Sequence, residues 1–333
     1  MKKIKLQDVA ERSGVSLTTV SRVLNNSGYV AQEKKVQVEN ALRELGYMRH
    51  PSGDGVDRER LIGIVFRQSP NNLHFEKLGG AILQAAEKKN LSTLTLFSGD
   101  MGRQSLKEQI EKLLEYKVCG IVIGGIGASR MTGEMNRYLK NCGVPVIFVE
   151  RTAESRGFHH VLVDNRYGGY LATKHLIDRG HRHLLYINRE IGDCVEKERE
   201  QGFLQAVEEA QEQGKNIYHR IKYGQDDTLN SGYLAMAEAL EEDNRITGVF
   251  AWSDSYVAGA MQYLYRKGIR VPEQIELIGC DDTYSGYLAP PVSSVRMPYE
   301  QIGETVVEHI LAEQNGEKRG AAIVTLEPEL VLR

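Results

Sequence analysis

Residues 6–24, Leu6-Gln7-Asp8-Val9-Ala10-Glu11-Arg12-Ser13-Gly14-Val15-Ser16-Leu17-Thr18-Thr19-Val20-Ser21-Arg22-Val23-Leu24, set two short amphipathic segments around one glycine. Few folds are compatible with that arrangement. Leu6, Val9 and Ala10 share one helical face, and Gly14 supplies the left-handed backbone that ends a helix. Ser16 is a good N-cap for a second helix whose inner face is Val20, Val23 and Leu24. A pair of short helices joined by a Gly-containing turn is a helix-turn-helix. Leu17, Thr18, Ser21 and Arg22 are left on the outer face at the start of the second helix, where side chains reach base edges in a major groove. A third helix, from about Gln32 to Leu45, offers Val36, Val38, Ala41, Leu42 and Leu45 to close the core.

The plainer alternative is a helical hairpin with a solvated polar face. Charge separates the two readings. Residues 1–50 carry nine Lys/Arg against five Asp/Glu, a surplus of +4, while the whole chain is −3, leaving −7 for the rest. A basic head on an acidic body is the asymmetry expected of a nucleic-acid binder.

At 333 residues the chain exceeds one typical core, so two or three units are expected. Arg49-His50-Pro51-Ser52-Gly53-Asp54-Gly55-Val56-Asp57-Arg58-Glu59-Arg60 is polar and rich in turn formers, and reads as a linker. After it, buried-strand runs alternate with amphipathic helices: strands at 61–66, 94–97, 119–123 and 144–149, with helices near 75–89, 103–116 and 131–141. The pattern restarts with strands at 161–163, 184–187, 218–223, 248–251 and 275–278, and a last strand spans about Ala322–Leu330. Such alternation means βαβ units on parallel sheets, here in two similar lobes with a ligand cleft at the carboxyl ends of their strands. No run is long enough to span a bilayer and no apolar signal core follows Met1, so a cytoplasmic location is expected. Cys119, Cys142, Cys194 and Cys280 lack the spacing of a zinc site or disulfide framework, and no cofactor or metal is expected.

Asp8-Val9-Ala10, Gly14-Val15-Ser16, Thr19-Val20-Ser21-Arg22-Val23-Leu24-Asn25 and Leu45-Gly46-Tyr47 resemble the headpiece of the lactose-repressor (LacI/GalR) family of bacterial transcription regulators. The body resembles the same family, and through it the periplasmic sugar-binding proteins. Matching stretches include Val163-Asp164-Asn165 with Gly168-Gly169, His175 to His181, Arg199 with Gly202-Phe203, Val271-Pro272, Gly279-Cys280-Asp281-Asp282, and Pro290-Pro291. The resemblance implies an all-α helix-turn-helix headpiece (1–48), a hinge linker (49–60) and an α/β two-lobed effector domain (61–333). The lobes would be discontinuous: about 61–161 plus 292–322, and about 162–290 plus 323–333, with crossings near Leu162, Pro291 and Ala322. It also implies a ligand-responsive regulator, most simply a repressor, binding a palindromic operator as a homodimer. Leu17, Thr18 and Arg22 would contact bases, and Lys5, Thr19, Ser21, Asn25 and Tyr47 would contact or support phosphates. A dimer is favoured over a tetramer because no leucine heptad follows the last strand. A phosphocarrier co-regulator, known for some relatives, has no support in this sequence.

A sugar effector calls for carboxylates or amides for its hydroxyls, an arginine fork, and an apolar face for the ring. Glu150, Arg151, Ser253 and Asp281 follow strands, Arg199 opens a helix, and Phe75, in the loop after the first strand, is the stacking candidate. By resemblance, Arg199 and Asp281 stand where relatives hold sugar hydroxyls, and Glu150 where relatives often carry Asp. Trp252-Ser253-Asp254 replaces the usual Ala-Asn-Asp, and Ser253 lacks the amide. Trp252 reads equally as wall or core. Asp254 and Asp282 read as loop caps, and Arg67 with Arg151 leaves a sugar phosphate open as ligand. The histidines at 159, 160, 175, 181 and 183 form neither a metal spacing nor a nucleophile elbow, so no enzyme is expected. A soluble sugar-binding module without DNA function is the second reading.

In relatives the linker forms a hinge helix whose leucine enters the minor groove. Counting from Tyr47, that leucine's place is Val56. Gly53 and Gly55 each disfavour a helix interior by about 1 kcal/mol relative to Ala. A weak or absent hinge helix and reduced DNA bending are therefore expected.

Overall fold

The structure, a computed structural model, describes residues 6–25, 28–44, 60–67, 73–98, 103–125, 131–150, 157–190, 194–317 and 320–333. The chain divides into two units, up to Arg58 and from Glu59 onward. Lys5, Tyr47, Val56, the linker at 49–59 with its hinge-helix expectation, and Arg151 lie outside the described residues.

The first unit holds α1 (Leu6–Ser13), α2 (Leu17–Asn25) and α3 (Gln32–Glu44). Gly14 sits at φ +68° between the first two, the left-handed conformation that lets the chain turn sharply. The Ser16 side chain accepts from the Thr19 backbone N–H at 3.2 Å, capping α2. Val9, Val20 and Val38 are fully buried and Ala41 nearly so, with Leu6, Ala10, Val15, Val23 and Leu42 packed around them. Each fully buried valine contributes roughly 1.5–3 kcal/mol. Val36, expected in this core, is 44% exposed. It lies two residues from Val38, about 200° around a helix, so the two cannot share a face. The ion pair Arg12–Glu44 ties α1 to α3.

The second unit is two six-stranded sheets flanked by helices. The first sheet orders its strands β11 (Ile323–Leu326), β5 (His159–Val163), β4 (Val146–Val149), β3 (Gly120–Gly124), β1 (Leu61–Arg67) and β2 (Ser92–Ser98), all parallel. Its helices are α4 (His74–Lys88), α5 (Arg103–Glu115), α6 (Gly133–Lys140) and, from far along the chain, α11 (Tyr299–Gln314), which packs on α4. The second sheet runs β12 (Glu329–Val331), β10 (Ser293–Arg296), β9 (Glu276–Asp281), β8 (Gly248–Ala251), β6 (His183–Arg189) and β7 (Tyr218–Gly224). It is parallel except for β12, which pairs antiparallel with β10. Its helices are α7 (Asn165–Asp178), α8 (Cys194–Glu212), α9 (Leu229–Glu242) and α10 (Asp254–Lys267).

The lobes are discontinuous, but their limits differ from expectation. Residues 293–296 pair with β9, Ser293 opposite Ile278, so they belong to the second lobe rather than the first. Residues 323–326 pair with β5 in the first lobe, not the second. The chain crosses after Val163, after Arg296 and between Leu326 and Glu329. Hydrogen-bonded strand neighbours set these limits, and a sequence pattern does not show which neighbour a strand will find. The single last strand expected over 322–330 is two strands in different sheets. Pro328 lies between them, and proline cannot donate to a ladder.

Candidate functional site

Parallel strands deliver their last side chains to one edge, so residues distant in sequence meet where the two sheets' carboxyl ends face each other. Arg67 ends β1, Glu150 follows β4, Asn165 follows β5, Arg189 ends β6, Trp252 follows β8 and Asp281 ends β9. With His74, Phe75, Val163, Val195, Arg199 and Asp227 they line one cleft, which in this conformation leaves about 40 Å³ free among them. A single water needs roughly 10–15 Å³ of such space, so the gap admits no more than a few waters. The lobes are closed on their own side chains. Larger hollows of about 550 Å³ beside α11 and about 590 Å³ beside α10 exist. Neither gathers buried charge from several strand ends, which is the stronger mark of a ligand site.

Arg199, 5% exposed, organises the second-lobe wall. Its Nε donates to Asn165 Oδ1 at 3.0 Å, its Nη1 to the Trp252 carbonyl at 2.6 Å, and its Nη2 to Asp281 Oδ1 at 3.4 Å. Its guanidinium carbon lies 4.3 Å from the Trp252 ring centroid. Asp281 holds a left-handed backbone, φ +88°, uncommon for a residue with a side chain and found mostly where the surroundings enforce it. Burial raises its carboxyl above the ordinary aspartate range, against the pull of His74 and Arg199. The Asp254 carboxylate accepts the backbone N–H groups of Thr283, Tyr284 and Ser285, and Asp282 is held by Arg296 and Arg333. These contacts fix the loop that presents Asp281.

The first-lobe wall centres on His74. Its Nε2 meets Glu150, its Nδ1 lies 2.8 Å from the Tyr299 hydroxyl, and Asp281 Oδ1 is 3.7 Å away across the lobes. Tyr299 donates to the Asp281 carbonyl at 3.1 Å. Burial alone would push the His74 imidazole down, but the Glu150 and Asp281 carboxylates and the bond to Glu150 raise it above its usual range. A second buried cluster lies beside Arg199. Arg189 donates to Glu196 Oε1 at 3.0 Å and to Asp227 Oδ2 at 3.2 Å, and the Trp252 indole N–H donates to Asp227 Oδ1 at 3.2 Å.

Of the effector candidates, Phe75, Glu150, Arg199 and Asp281 are brought together. Phe75 lies in the first turn of α4 rather than a loop, and Arg199 is one turn inside α8 rather than at its start. Ser253 is buried, its hydroxyl 2.6 Å from that of Ser255 at the start of α10, and it is not among the residues lining the cleft. Trp252 takes the wall position instead. His74, Asn165, Arg189 and Asp227 were not anticipated. Arg189 ending a largely buried strand was the one available signal, since a charge there must be paired or face a cavity.

On the first unit, Leu17, Thr18 and Arg22 are exposed on one side of α2, with Leu17 at 50%. Thr19 is half-buried and its hydroxyl lies 2.8 Å from that of Ser16, so it serves the cap. Ser21 is half-buried, and Asn25 ends α2 with its side chain outside the described set.

Residues 5–50 match the profile of bacterial regulatory proteins of the lacI family, and residues 173–333 match a periplasmic binding protein-like domain. The chain is similar to the HTH-type transcriptional repressor PurR of Aliivibrio fischeri, 28% identical over 340 residues covering 98% of this chain and 97% of the relative. Among solved structures it is similar to a Lac repressor dimer bound to operator and an anti-inducer, with TM-score 0.79, 23% identity, and coverage of 100% and 98%. It is also similar to a complex of the transcriptional regulator CelR with cellobiose, with TM-score 0.70, 26% identity, and coverage of 99% of each chain.

Proposed function

We propose that this chain, which belongs to the lacI family of bacterial regulatory proteins, is a repressor that binds an inverted-repeat operator as a homodimer and takes a sugar or sugar derivative in its interlobe cleft. The observation that carries the ligand half is the meeting of Arg199 and Asp281 at strand ends beside Trp252 and Phe75. A guanidinium and a carboxylate side by side offer adjacent donors and acceptors to hydroxyls, and the aromatic rings offer an apolar face. The DNA half is supported by Leu17, Thr18 and Arg22, exposed together on a capped second helix. Lys5, Thr19, Ser21, Asn25 and Tyr47 are assigned to phosphate contact or support, and Val56 to the hinge. A groove along α10 between Met261, Tyr265, Ile269 and Leu288, with Tyr265 85% exposed, supports self-association. Among the described residues of the cleft no nucleophile stands beside a base, and the PurR and Lac repressor relatives are repressors rather than enzymes.

Ligand binding that favours one lobe arrangement would change operator affinity. The usual coupling of about 1–3 kcal/mol corresponds to roughly 5- to 150-fold. Operator selection from random DNA at physiological salt tests the reading. Enrichment of a palindrome supports it, and absence of any sequence preference overturns it in favour of a sugar-binding module. A thermal-shift screen of sugars, sugar phosphates and nucleobases identifies the ligand class, because binding to the native state raises the midpoint.

A further inference from the structure

Arg189 and Arg199, the two buried guanidiniums of the cleft, are each already matched by carboxylates: Arg199 by Asp281, and Arg189 by Glu196 and Asp227. Both lie against the same indole, their guanidinium carbons 4.8 Å and 4.3 Å from the Trp252 ring centroid. Asp227 also accepts the indole N–H, so Trp252 is held in register with the Arg189 pair. One ligand about the width of a single ring can therefore meet both units. We propose that Arg189, Asp227 and Trp252 form a second polar subsite beside Arg199 and Asp281, and that the two together select an uncharged hydroxylated ligand and reject its phosphorylated counterpart. This rests on the effector reading above and deepens it.

The selectivity follows from what each group can exchange. A hydroxyl donates and accepts, so a pair of neighbouring hydroxyls fits a guanidinium and a carboxylate that stand side by side. A phosphate only accepts at its charged oxygens. To use either arginine it must displace Asp227 or Asp281, leaving a buried carboxylate without its guanidinium, which is unfavourable. The first-lobe wall reinforces this: the His74 imidazole is engaged by Glu150 and Tyr299, and Arg67, the third cation lining the cleft, is itself already partnered.

Trp252 is the chain's single tryptophan, so its emission reports this subsite alone. D-Glucose, D-galactose, D-ribose, cellobiose, glucose 6-phosphate and adenine, titrated against the full-length protein, are the probes. A neutral sugar changes the emission, and glucose 6-phosphate neither changes it nor competes. Asp227→Asn weakens that sugar about tenfold or more, the usual effect of breaking one charged hydrogen bond, and narrows the gap to the phosphate. Trp252→Phe, followed by calorimetry, keeps a ring but loses the N–H and weakens the sugar several-fold; it serves if the Asp227 variant does not fold. A response to glucose 6-phosphate or adenine alone, or to no probe, overturns the proposal. Arg199→Ala separates the two readings. If it leaves sugar binding intact, the effector site is wrong. If it abolishes binding while Asp227→Asn and Trp252→Phe bind normally, only the second subsite is wrong.

Discussion

The chemistry of the cleft rests on single residues placed in unusual states. His74 is buried between two carboxylates, with Glu150 and Asp281 raising its imidazole above the usual range in spite of desolvation. A group whose folded pKa is raised adds stability below its unfolded pKa of about 6.5, and loses it as pH rises through the folded value. His74→Gln should therefore flatten the pH dependence of the unfolding free energy from pH 6 into the alkaline side. An unchanged slope in denaturant titrations would sink this assignment. On the headpiece, Arg22→Ala removes an exposed cation from the outer face of α2, and by the usual cost of a base contact should weaken operator binding by about 1–3 kcal/mol. Footprinting across operator variants would show relaxed preference at one position in each half-site. Asp281 was legible as a cleft residue because it follows a strand, and Arg199 because it stands near the start of a helix at a position the family resemblance singles out. His74 and Asp227 were not, because a lone His after a loop and one Asp of a pair look alike whether exposed or buried.

At the scale of elements, the cleft depends on how closely neighbouring helices approach. A Cβ on Gly202 of α8 would stand 1.9 Å from the Arg166 carbonyl oxygen, and one on Gly169 of α7 would stand 2.2 Å from that of Arg199. The two backbones touch there, and Arg199 is carried on the α8 side of the contact. Gly232 and Gly259 make the same kind of contact between α9 and α10, at 2.3 Å from the Tyr256 oxygen and 1.9 Å from the Leu229 oxygen. Gly202→Ala should thus cost about 1–3 kcal/mol of stability or more, the range for overpacking, and should also lower ligand affinity by displacing α8. A variant with wild-type thermal midpoint and affinity would contradict this. The number and type of elements were readable from apolar periodicity, because strands and helices repeat at different spacings. Their pairing was not. Ile323–Leu326 and Glu329–Val331 look like one strand, yet they close opposite sheets.

For the whole molecule, the expected assembly is a two-fold dimer whose symmetry the operator mirrors. Met261→Glu, in the groove beside α10, should shift the protein toward monomer in sedimentation. It should also weaken a full palindrome far more than a half-site. Equal loss on both would place the interface elsewhere. The sequence by itself determined the class of molecule: a basic helix-turn-helix before an acidic α/β body with sites at strand ends. These properties reside in local spacing, turn residues and charge, each confined to short stretches of chain. Only the tertiary structure decided that Arg189, Asp227 and Trp252 meet beside Arg199 and Asp281, and that Ser253 is buried against Ser255. Those residues are separated by up to ninety-two positions and come from different elements. Burial removed the water that would otherwise satisfy their charges, so each had to find its partner through the packing of the sheets and helices that carry it.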